Sequence, residues 1–432
     1  MMLEEVDEQA LRRCIRYYCT IFTIFPVRPR GESTMSHSWI DQVVQMYQEN
    51  EAPEKFFYWA AMSAISAVTK KQVFLNRYQY KLYPNIYVLI MGESGIKKGL
   101  PIHVAKTVVE KVNNTRVISG RKSIQKAIRD MGMAYTTADG KIIHEAQGFL
   151  VTGEFAAFLV QDRDALTILT DLYDTDKHPE FWENSLKSTG IDRLKKPCLT
   201  LLGATNEEHF NDAVPQNAIG GGFIARTFVA LGTERGILNS LTNPPKALPD
   251  IDSLVDYLRE ISKVSGEFKY TTEGKKLYDT WYYEFYTKKY HDPTGTLNRL
   301  GDQILKAAML ISLSRGTSLE LSQEDIFEAI TVCEECINGM MQVTMGGGGV
   351  LNLGLVTKAI MRELIMHPQH QLTKADLLRK YQGRFDDFDV TRVAESLQAS
   401  NAIEISPQGK TMLYIMKKEA LDMYTNFKKG IQ

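Results

Sequence analysis

A series of short, almost uninterrupted apolar segments, separated by helix-like segments, limits the folds that are open to this chain. Strands that are buried on both faces have this composition. Their alternation with helices is typical of α/β proteins with a mostly parallel sheet. We assign four such strands within residues 86–91, 146–160, 198–210 and 222–234.

Each of these segments ends in, or contains, a residue that could carry chemistry. Gly92 follows the first segment, Glu154 the second and Asn206 the third, while Arg226 lies within the fourth. In parallel sheets, ligands bind at the edge where the carboxyl ends of the strands meet. We therefore expect these residues to cluster at that edge of the sheet.

The loop after the first strand resembles part of a phosphate-binding P-loop, for which the pattern is G-x-x-x-x-G-K-[ST]. Lys98 stands at the lysine position, but Lys97 replaces the second glycine and Gly99 replaces the residue whose hydroxyl binds Mg²⁺. A helix follows at 101–112. Three interpretations are open: a working NTPase, a nucleotide-binding protein without turnover, and an unrelated glycine turn. The candidate ATP-binding residues are Gly92, Ser94, Gly95, Lys97, Lys98 and Gly99.

Two strand ends supply groups that ATP hydrolysis requires. Glu154 directly follows an apolar strand. In NTPases the carboxylate that activates the attacking water occupies such a position. A solvated strand end without a catalytic role is the alternative interpretation. Asn206 is placed to orient that water. Because Gly99 and Gly153 lack oxygen ligands, we expect Mg²⁺ to be held by phosphates and water, with Ser94 and Glu154 as further candidates.

Arg226 lies in an apolar segment, where an unpaired charge would be costly. It is either a structural ion-pair partner or an arginine finger that completes the ATP site of a neighbouring subunit. The sequence alone leaves both interpretations open.

The region before the third strand, residues 181–199, is predicted to form a hairpin around Ser188-Thr189-Gly190. Its basic side chains could grip the phosphate backbone of a single DNA strand without reading its sequence. A solvated surface hairpin is the alternative. The candidate DNA-binding residues are Lys187, Arg193, Lys195 and Lys196.

The pattern changes at a proline-rich stretch, NPPKALPD (243–250), after which the periodicity is helical to about 344. Near the C-terminus, helices at 355–366, 373–381 and 388–399 precede a hairpin with a turn at 406–409, which is the order of a winged helix. Residues 1–34 differ in character, and we interpret them as an N-terminal extension, not native to the protein if Met35 is its natural start. The predicted domains are an ATPase core (35–245), a helical lid (246–345), a glycine-rich linker (346–354) and a winged-helix domain (355–432).

This order of motifs resembles the AAA+ helicases of the MCM-like kind. It is more similar to replication ATPases of phages and mobile elements, whose P-loops tend to read G-P-S-G-x-x-K-S-P. The resemblance spans roughly residues 50–420 and implies that Arg299, near the start of a long helix, senses the nucleotide. The P-loop positions that match are Gly92, Ser94, Gly95, Lys98 and Pro101.

The resemblance implies a P-loop NTPase that works as an ATP-driven, ring-forming DNA translocase, most simply a replicative DNA helicase of a phage or mobile element. It further implies ATP and Mg²⁺ as cofactors, single-stranded or forked DNA as a partner, a homo-oligomer of six subunits, and a replication loader or primase. The winged helix could contact duplex DNA or neighbouring subunits. The runner-up is a nucleotide-binding oligomeric scaffold, regulatory or defensive, that does not unwind DNA; a winged-helix transcription regulator ranks third.

Composition constrains the function only weakly. The net charge of −1 does not indicate a nucleic-acid-binding protein, so any basic surface must be local. No apolar stretch reaches membrane-spanning length, and we expect a cytoplasmic protein without a membrane partner. Cys333 and Cys336 resemble half of a zinc site, but no second pair completes it, so we expect free thiols.

Overall fold

The structure, a computed structural model, forms two compact units, residues 36–344 and a second unit that contains residues 345–432. The predicted extension 1–34 and linker 346–354 lie outside the described residues, and the predicted domain boundaries stay predictions. The described residues are 38–120, 122–160, 164–186, 190–214, 222–239, 250–287, 294–344, 356, 360–361, 363–365, 367–381, 387–399, 402–408, 411–418 and 420–421.

The described helices of the larger unit surround its sheets. Two single turns of 3₁₀ helix, Thr175–Lys177 and Ile224–Arg226, precede strands. The α-helices are α1 Trp39–Met46, α2 Glu54–Thr69, α3 Gly99–Val112, α4 Ile124–Gly132, α5 Phe155–Val160, α6 Ala165–Tyr173, α7 Glu207–Ala213, α8 Asp252–Ile261, α9 Thr272–Tyr286, α10 Thr296–Arg315 and α11 Gln323–Thr344.

The strands of the larger unit form one central sheet and smaller accessory sheets. The strands are β1 Val73–Arg77, β2 Tyr80–Leu82, β3 Tyr87–Gly92, β4 Arg116–Ser119, β5 Tyr135–Thr136, β6 Ile142–Ile143, β7 Gln147–Thr152, β8 Phe181–Leu186, β9 Gly190–Lys195, β10 Cys198–Thr205, β11 Thr227–Gly232, β12 Gly266–Tyr270 and β13 Glu320–Leu321.

The central sheet has five strands in the order β11-β3-β10-β7-β4, and every neighbouring pair is parallel. This confirms the predicted α/β class and parallel sheet. Every residue of β3, β10 and β11 is buried, which explains their continuous apolar sequences. The edge strand β4 was not predicted, because its sequence RVIS is short and only half apolar.

Tight packing fixes the end of β3. A Cβ atom on Gly92 would lie 2.6 Å from the carbonyl oxygen of Gly232 on β11, and one on Gly232 would lie 2.3 Å from the ring of Phe56. Helix α2, buried along almost its whole length, supplies Phe56 and covers one face of the sheet. The close approach of helix and strands therefore requires glycine at both strand ends.

The order of the strands opens a crevice at their carboxyl ends. From β3 the chain crosses β10 and β7 to reach the edge strand β4, whereas from β10 it crosses β3 in the opposite direction to reach β11. Because crossovers between parallel strands are right-handed, these two connections leave opposite faces of the sheet. The gap between the ends of β3 and β10 is thus the position where such sheets bind ligands.

Strands interrupt the region that was predicted to be helical throughout, residues 251–344. β12 pairs in parallel with β1, and β13 extends the same sheet, in the order β13-β12-β1-β2. That prediction was wrong at these two strands, because GEFKY alternates weakly and EL is too short to show a period. Together with the buried helix α10, the pairing ties this region to the larger unit.

The C-terminal unit has its own core. Helical residues within 356–365 contribute Val356, Ile360 and Leu364 to an apolar cluster with Tyr414. Strand β15 extends to Gln408. The turn predicted at 406–409 was therefore wrong for residues 406–408, which belong to the strand. The described elements are β14 Gln371–Thr373, α12 Lys374–Lys380, α13 Asp387–Ala399, β15 Ile403–Gln408 and β16 Thr411–Met416, with the sheet order β14-β16-β15.

This succession of helix, strand, two helices and a hairpin is the one expected of a winged helix, and that assignment stays a prediction. In the part of the chain that the structure describes, no helix combines the length and apolar composition that crossing a membrane requires.

Candidate nucleotide-binding site

The loop between β3 and α3 lies at the crevice. Its backbone is left-handed at Gly95, with φ of 87°, and at Lys97, with φ of 61°. No side chain caps helix α3, so the N–H groups of its first turn have no side-chain acceptor. An uncapped helix start at the end of a buried strand is suited to binding phosphate oxygens.

Lys98 folds back over this loop. Its Nζ donates hydrogen bonds to the carbonyl oxygens of Gly92 at 2.6 Å and Glu93 at 2.7 Å. Burial lowers the pKa of Lys98, and the negative charge of Glu154 opposes that shift. Lys98 follows β3 and Glu154 follows β7, so both residues lie at the carboxyl end of the central sheet.

Glu154 and Asn206 follow neighbouring strands at the same edge. Gly203 of β10 pairs with Thr152 of β7. Glu154 comes two residues after Thr152, and Asn206 comes three residues after Gly203. Glu154 is exposed to solvent at the start of α5. The structure thus brings the loop, the carboxylate and the amide together at the ends of β3, β7 and β10.

Asn206 has a structural role that the sequence analysis did not assign. Its Oδ1 accepts a hydrogen bond from the backbone N–H of His209 at 2.7 Å and caps helix α7. The two glutamates that follow it, in the first turn of the helix, are the sequence signal that could have shown this cap. The NH₂ group of Asn206 is left as the donor for a water molecule or phosphate.

Two further carboxylates border the crevice. Glu93 follows β3 and Glu207 follows the neighbouring strand β10. Burial raises the pKa of Glu207, and the charge of Glu93 raises it further. They can supply oxygen ligands that Gly99 and Gly153 lack. Among the described residues, no group of three or more histidine, cysteine, aspartate or glutamate side chains is arranged to hold a metal ion.

Ser94 lies exposed in the same loop, where its hydroxyl is available to a phosphate-bound cation. Cys333 and Cys336 are free, buried thiols on α11, and burial raises the pKa of both well above the ordinary range.

Arg226 lies elsewhere, which corrects the expectation that it clusters with Gly92, Glu154 and Asn206 at one edge, and Arg299 lies near Arg226. Arg226 precedes β11 in a 3₁₀ turn instead of lying within the strand. Its Nη2 lies 2.6 Å and its Nε 3.3 Å from the carboxylate of Asp174, and Arg299 Nη1 lies 3.9 Å from the same group. The Asp174 side chain was not anticipated from the sequence.

The arginines occupy the amino-terminal edge of the sheet. Thr227 pairs with Tyr87 and Gly232 with Gly92, so β11 runs alongside β3 for its full length. At a rise of about 3.3 Å per residue, Arg226 lies roughly 17–20 Å from the loop. Neither arginine can reach the loop of its own chain, and the predicted catalytic set divides into two groups.

The Arg226–Asp174 pair is the structural ion pair that the sequence left as one interpretation. Arg226 is 5% exposed, and its Nη1 also donates to the carbonyl oxygen of Gly222 at 2.9 Å. Although burial opposes ionisation, hydrogen bonds from Arg226 and Lys177 hold the pKa of Asp174 at about 2. A finger function in a neighbouring subunit stays a prediction that requires release from Asp174.

The predicted hairpin forms from β8 and β9. Trp182 and Leu194 bury its inner face. Arg193 is already paired: its Nε lies 3.0 Å from Glu183 Oε1, and its guanidinium lies 3.7 Å from the centre of the Phe181 ring.

The other basic residues of the hairpin differ in accessibility. Lys187 lies outside the described residues. Lys195 is exposed, whereas Lys196 is half-buried in a left-handed conformation, with its N–H donating to the carbonyl oxygen of Glu180. Of the basic residues that the structure describes here, Lys195 is the one best placed to meet an incoming phosphate.

Comparison with known proteins adds no family assignment: no known family matches this chain, and no curated protein sequence shows significant similarity to it. Inference about function therefore depends on the fold and on the arrangement of these side chains.

Proposed function

We propose that this chain is an ATP-driven, ring-forming DNA translocase, a P-loop ATPase that works as a DNA helicase of the kind used in phage or mobile-element replication. The observation that carries the proposal is the convergence of three groups at one crevice. Lys98 folds back over the loop that precedes the uncapped helix α3. Glu154 follows β7, and its charge acts on Lys98. Asn206 follows β10, which lies between β3 and β7 in the sheet.

Each group has a role in ATP hydrolysis. The N–H groups of the loop and the ammonium of Lys98 bind the β- and γ-phosphates. Glu154 activates the attacking water and Asn206 positions it. Mg²⁺ is bound by the phosphates and water together with an oxygen from Ser94, Glu93 or Glu207, since Mg²⁺ keeps several of its waters in proteins.

The position of the arginines supports assembly into a ring. Arg226 and Arg299 lie at the edge of the sheet opposite to the loop. They can therefore act on ATP only in a neighbouring subunit, whose loop would face this edge. Six subunits is the number that the family resemblance implies.

DNA binding is the less supported part of the proposal. The β8–β9 hairpin leads into β10 and thus arises at the same edge as the arginines. Its basic residues and the C-terminal unit are the candidate contacts with single-stranded or forked DNA. A loader or primase as partner, and the cytoplasm of a host cell as location, follow from the same resemblance.

One set of observations favours the runner-up, an ATP-dependent oligomeric scaffold without unwinding activity. Gly99 and Gly153 leave the Mg²⁺ site without its usual protein ligands, and Arg226 is engaged by Asp174. A scaffold would bind ATP and assemble, but DNA would not raise its rate of hydrolysis.

The proposed phosphate role of Lys98 is tested by ATP binding to Lys98→Ala and Lys97→Ala, measured by titration calorimetry. Lys98→Ala should abolish measurable binding, because its ammonium lies within the loop. Lys97→Ala should weaken binding only partly, since its side chain is 56% exposed and points to Glu51. A larger loss in the Lys97 variant would mean that the loop is aligned with the P-loop pattern one residue out of register.

A further inference from the structure

An arginine that the sequence analysis did not single out lies against the proposed phosphate-binding loop. Arg235 follows β11, and its Nη2 lies 3.2 Å from the position that a Cβ atom on Gly95 would occupy. Strand β11 is the neighbour of β3 on the side away from β10. Arg235 therefore approaches the loop from the side opposite to Glu154 and Asn206.

Glu51 forms an ion pair with this arginine, but the pair is too long for a hydrogen bond. Its Oε2 is buried and accepts no hydrogen bond, while Arg235 Nη1 and Lys97 Nζ each lie 3.7 Å away. A buried carboxylate oxygen without a hydrogen bond is costly. Two cations just beyond hydrogen-bonding distance compensate for this only in part, so the arrangement can change when a better anion arrives.

The backbone fixes Glu51 in place but leaves the cations accessible. The N–H of Gly236 donates to the carbonyl oxygen of Glu51 at 2.8 Å, and the N–H of Asn239 donates to its Oε1 at 3.4 Å. The side chain of Glu51 is 16% exposed, whereas those of Arg235 and Lys97 are 48% and 56% exposed. A ligand in the loop can thus reach both cations without displacing the carboxylate.

We propose that Arg235 is a nucleotide-binding residue, held beside the loop by Glu51, and that it binds the end of ATP remote from the γ-phosphate. This inference rests on the proposed function. With the γ-phosphate beside Glu154 and Asn206, an extended nucleotide crosses the end of β3 toward β11. Its α-phosphate and purine then meet Arg235, whose guanidinium can donate two hydrogen bonds to a phosphate and stack on an aromatic ring.

The substitutions Arg235→Ala, Arg235→Lys and Glu51→Gln test this proposal through their affinities for ATP and for ADP. Because both nucleotides share the α-phosphate and base, Arg235→Ala should weaken both equally, by about tenfold for a lost charged hydrogen bond. Arg235→Lys should recover part of the affinity. Glu51→Gln keeps an acceptor for Asn239 and should bind both nucleotides more tightly, since the arginine is released.

A double variant separates this mechanism from a general charge effect. If Glu51 acts through Arg235, the gain from Glu51→Gln should be reduced in the Arg235→Ala background. A gain of the same size in both backgrounds would overturn the role of Glu51. Unchanged affinities in Arg235→Ala, or a loss confined to ATP, would overturn the role of Arg235.

The outcome also separates this inference from the proposed function. If Lys98→Ala abolishes ATP binding while Arg235→Ala has no effect, the loop is a nucleotide site and the inference about Arg235 is wrong. If the wild-type protein binds neither ATP nor ADP, both fall. Thermal unfolding of each variant shows whether a loss of affinity comes from a loss of folded protein.

Discussion

Asp174 is the residue on which the arginines of the amino-terminal edge converge. It follows helix α6, carries hydrogen bonds from Arg226, and has Arg299 and Lys177 close by. Removing one partner of a buried ion pair leaves the other charge uncompensated, which costs more than the pair itself contributes. The pair is therefore a feature whose loss should be visible in the stability of the whole unit.

We expect Arg226→Ala to lower the free energy of unfolding by about 3–5 kcal/mol, the usual cost of breaking a buried ion pair from one side. Urea denaturation of the wild-type and variant proteins measures this. The double variant Arg226→Met/Asp174→Asn is the control, since it removes both charges of the pair and should lose less. Equal losses in the two variants would mean that packing, and not charge, accounts for the effect.

The same pair predicts a dependence on pH. The pKa of Asp174 is about 2 in the folded protein, below its ordinary value of about 3.9 in an unfolded chain. Its contribution, on the order of 2–3 kcal/mol, is thus present above about pH 4 and lost as the pH falls toward 2. Arg226→Ala should lack the part of this acid-dependent stability that Arg226 supplies, while Lys177, which also donates to Asp174, retains the rest.

Gly99 offers a test of the proposed Mg²⁺ site. A Cβ atom there would meet nothing within 4 Å, and the φ angle is not in the left-handed region. Gly99→Ser should therefore fold normally and restore a hydroxyl ligand, lowering the Mg²⁺ concentration needed for half-maximal ATP hydrolysis on the order of tenfold, as one added ligand to a charged group allows. Gly99→Ala is the matched control, because it fills the same space without an oxygen. If serine and alanine behave alike, the cation does not bind beside residue 99.

Among the secondary-structure elements, the β8–β9 hairpin is the one that we expect to interact with DNA. Arg193 is neutralised by Glu183 across the two strands, so its removal should change DNA binding little. Glu183→Gln should instead free Arg193 and steepen the salt dependence of single-stranded DNA binding, by about 0.7 in the logarithmic slope for each additional phosphate that is neutralised.

Fluorescence anisotropy at several salt concentrations measures that slope. Glu260→Gln is the charge-matched control, since it removes an exposed carboxylate of helix α8 from its pair with Lys263, which lies just beyond the helix. If both substitutions raise the affinity equally, the effect comes from net charge and not from the hairpin.

The elements also show what could be predicted from the sequence. Strands β3, β7, β10 and β11 were assigned because burial on both faces gives a continuous apolar run, and the parallel sheet followed. Edge strand β4 and strand β12 are partly exposed, so their sequences carry no such run. Their positions are fixed by pairing with distant segments, which no local pattern records.

The residues of the candidate site also fall into those that could be predicted from the sequence and those that could not. The placement of Lys98, Glu154 and Asn206 at one end of the sheet could be predicted because each follows a recognisable strand, and their roles stay predictions. Asp174 and Glu51 could not, because each gains its role from residues more than 40 positions away in the chain, Arg226 in one case and Arg235 in the other. Tertiary contacts of this kind need the folded structure.

In the molecule as a whole, one sheet has two edges to which we assign a function. The carboxyl edge carries the proposed nucleotide loop, and the amino edge carries Asp174, the two arginines and the hairpin. A ring in which the amino edge of one subunit meets the carboxyl edge of the next would couple ATP hydrolysis to movement of the hairpin. The sheet itself would supply the rigid connection between the two edges.

Coupling of ATP hydrolysis to DNA is the property that defines the proposed translocase, and the rate of hydrolysis with and without single-stranded DNA measures it. We expect the wild-type rate to rise severalfold with DNA, and Glu154→Gln to bind ATP while hydrolysing it at least about a hundredfold more slowly, as the loss of a general base predicts. A wild-type protein that binds ATP and whose hydrolysis DNA does not stimulate would contradict the translocase and leave the nucleotide-dependent scaffold.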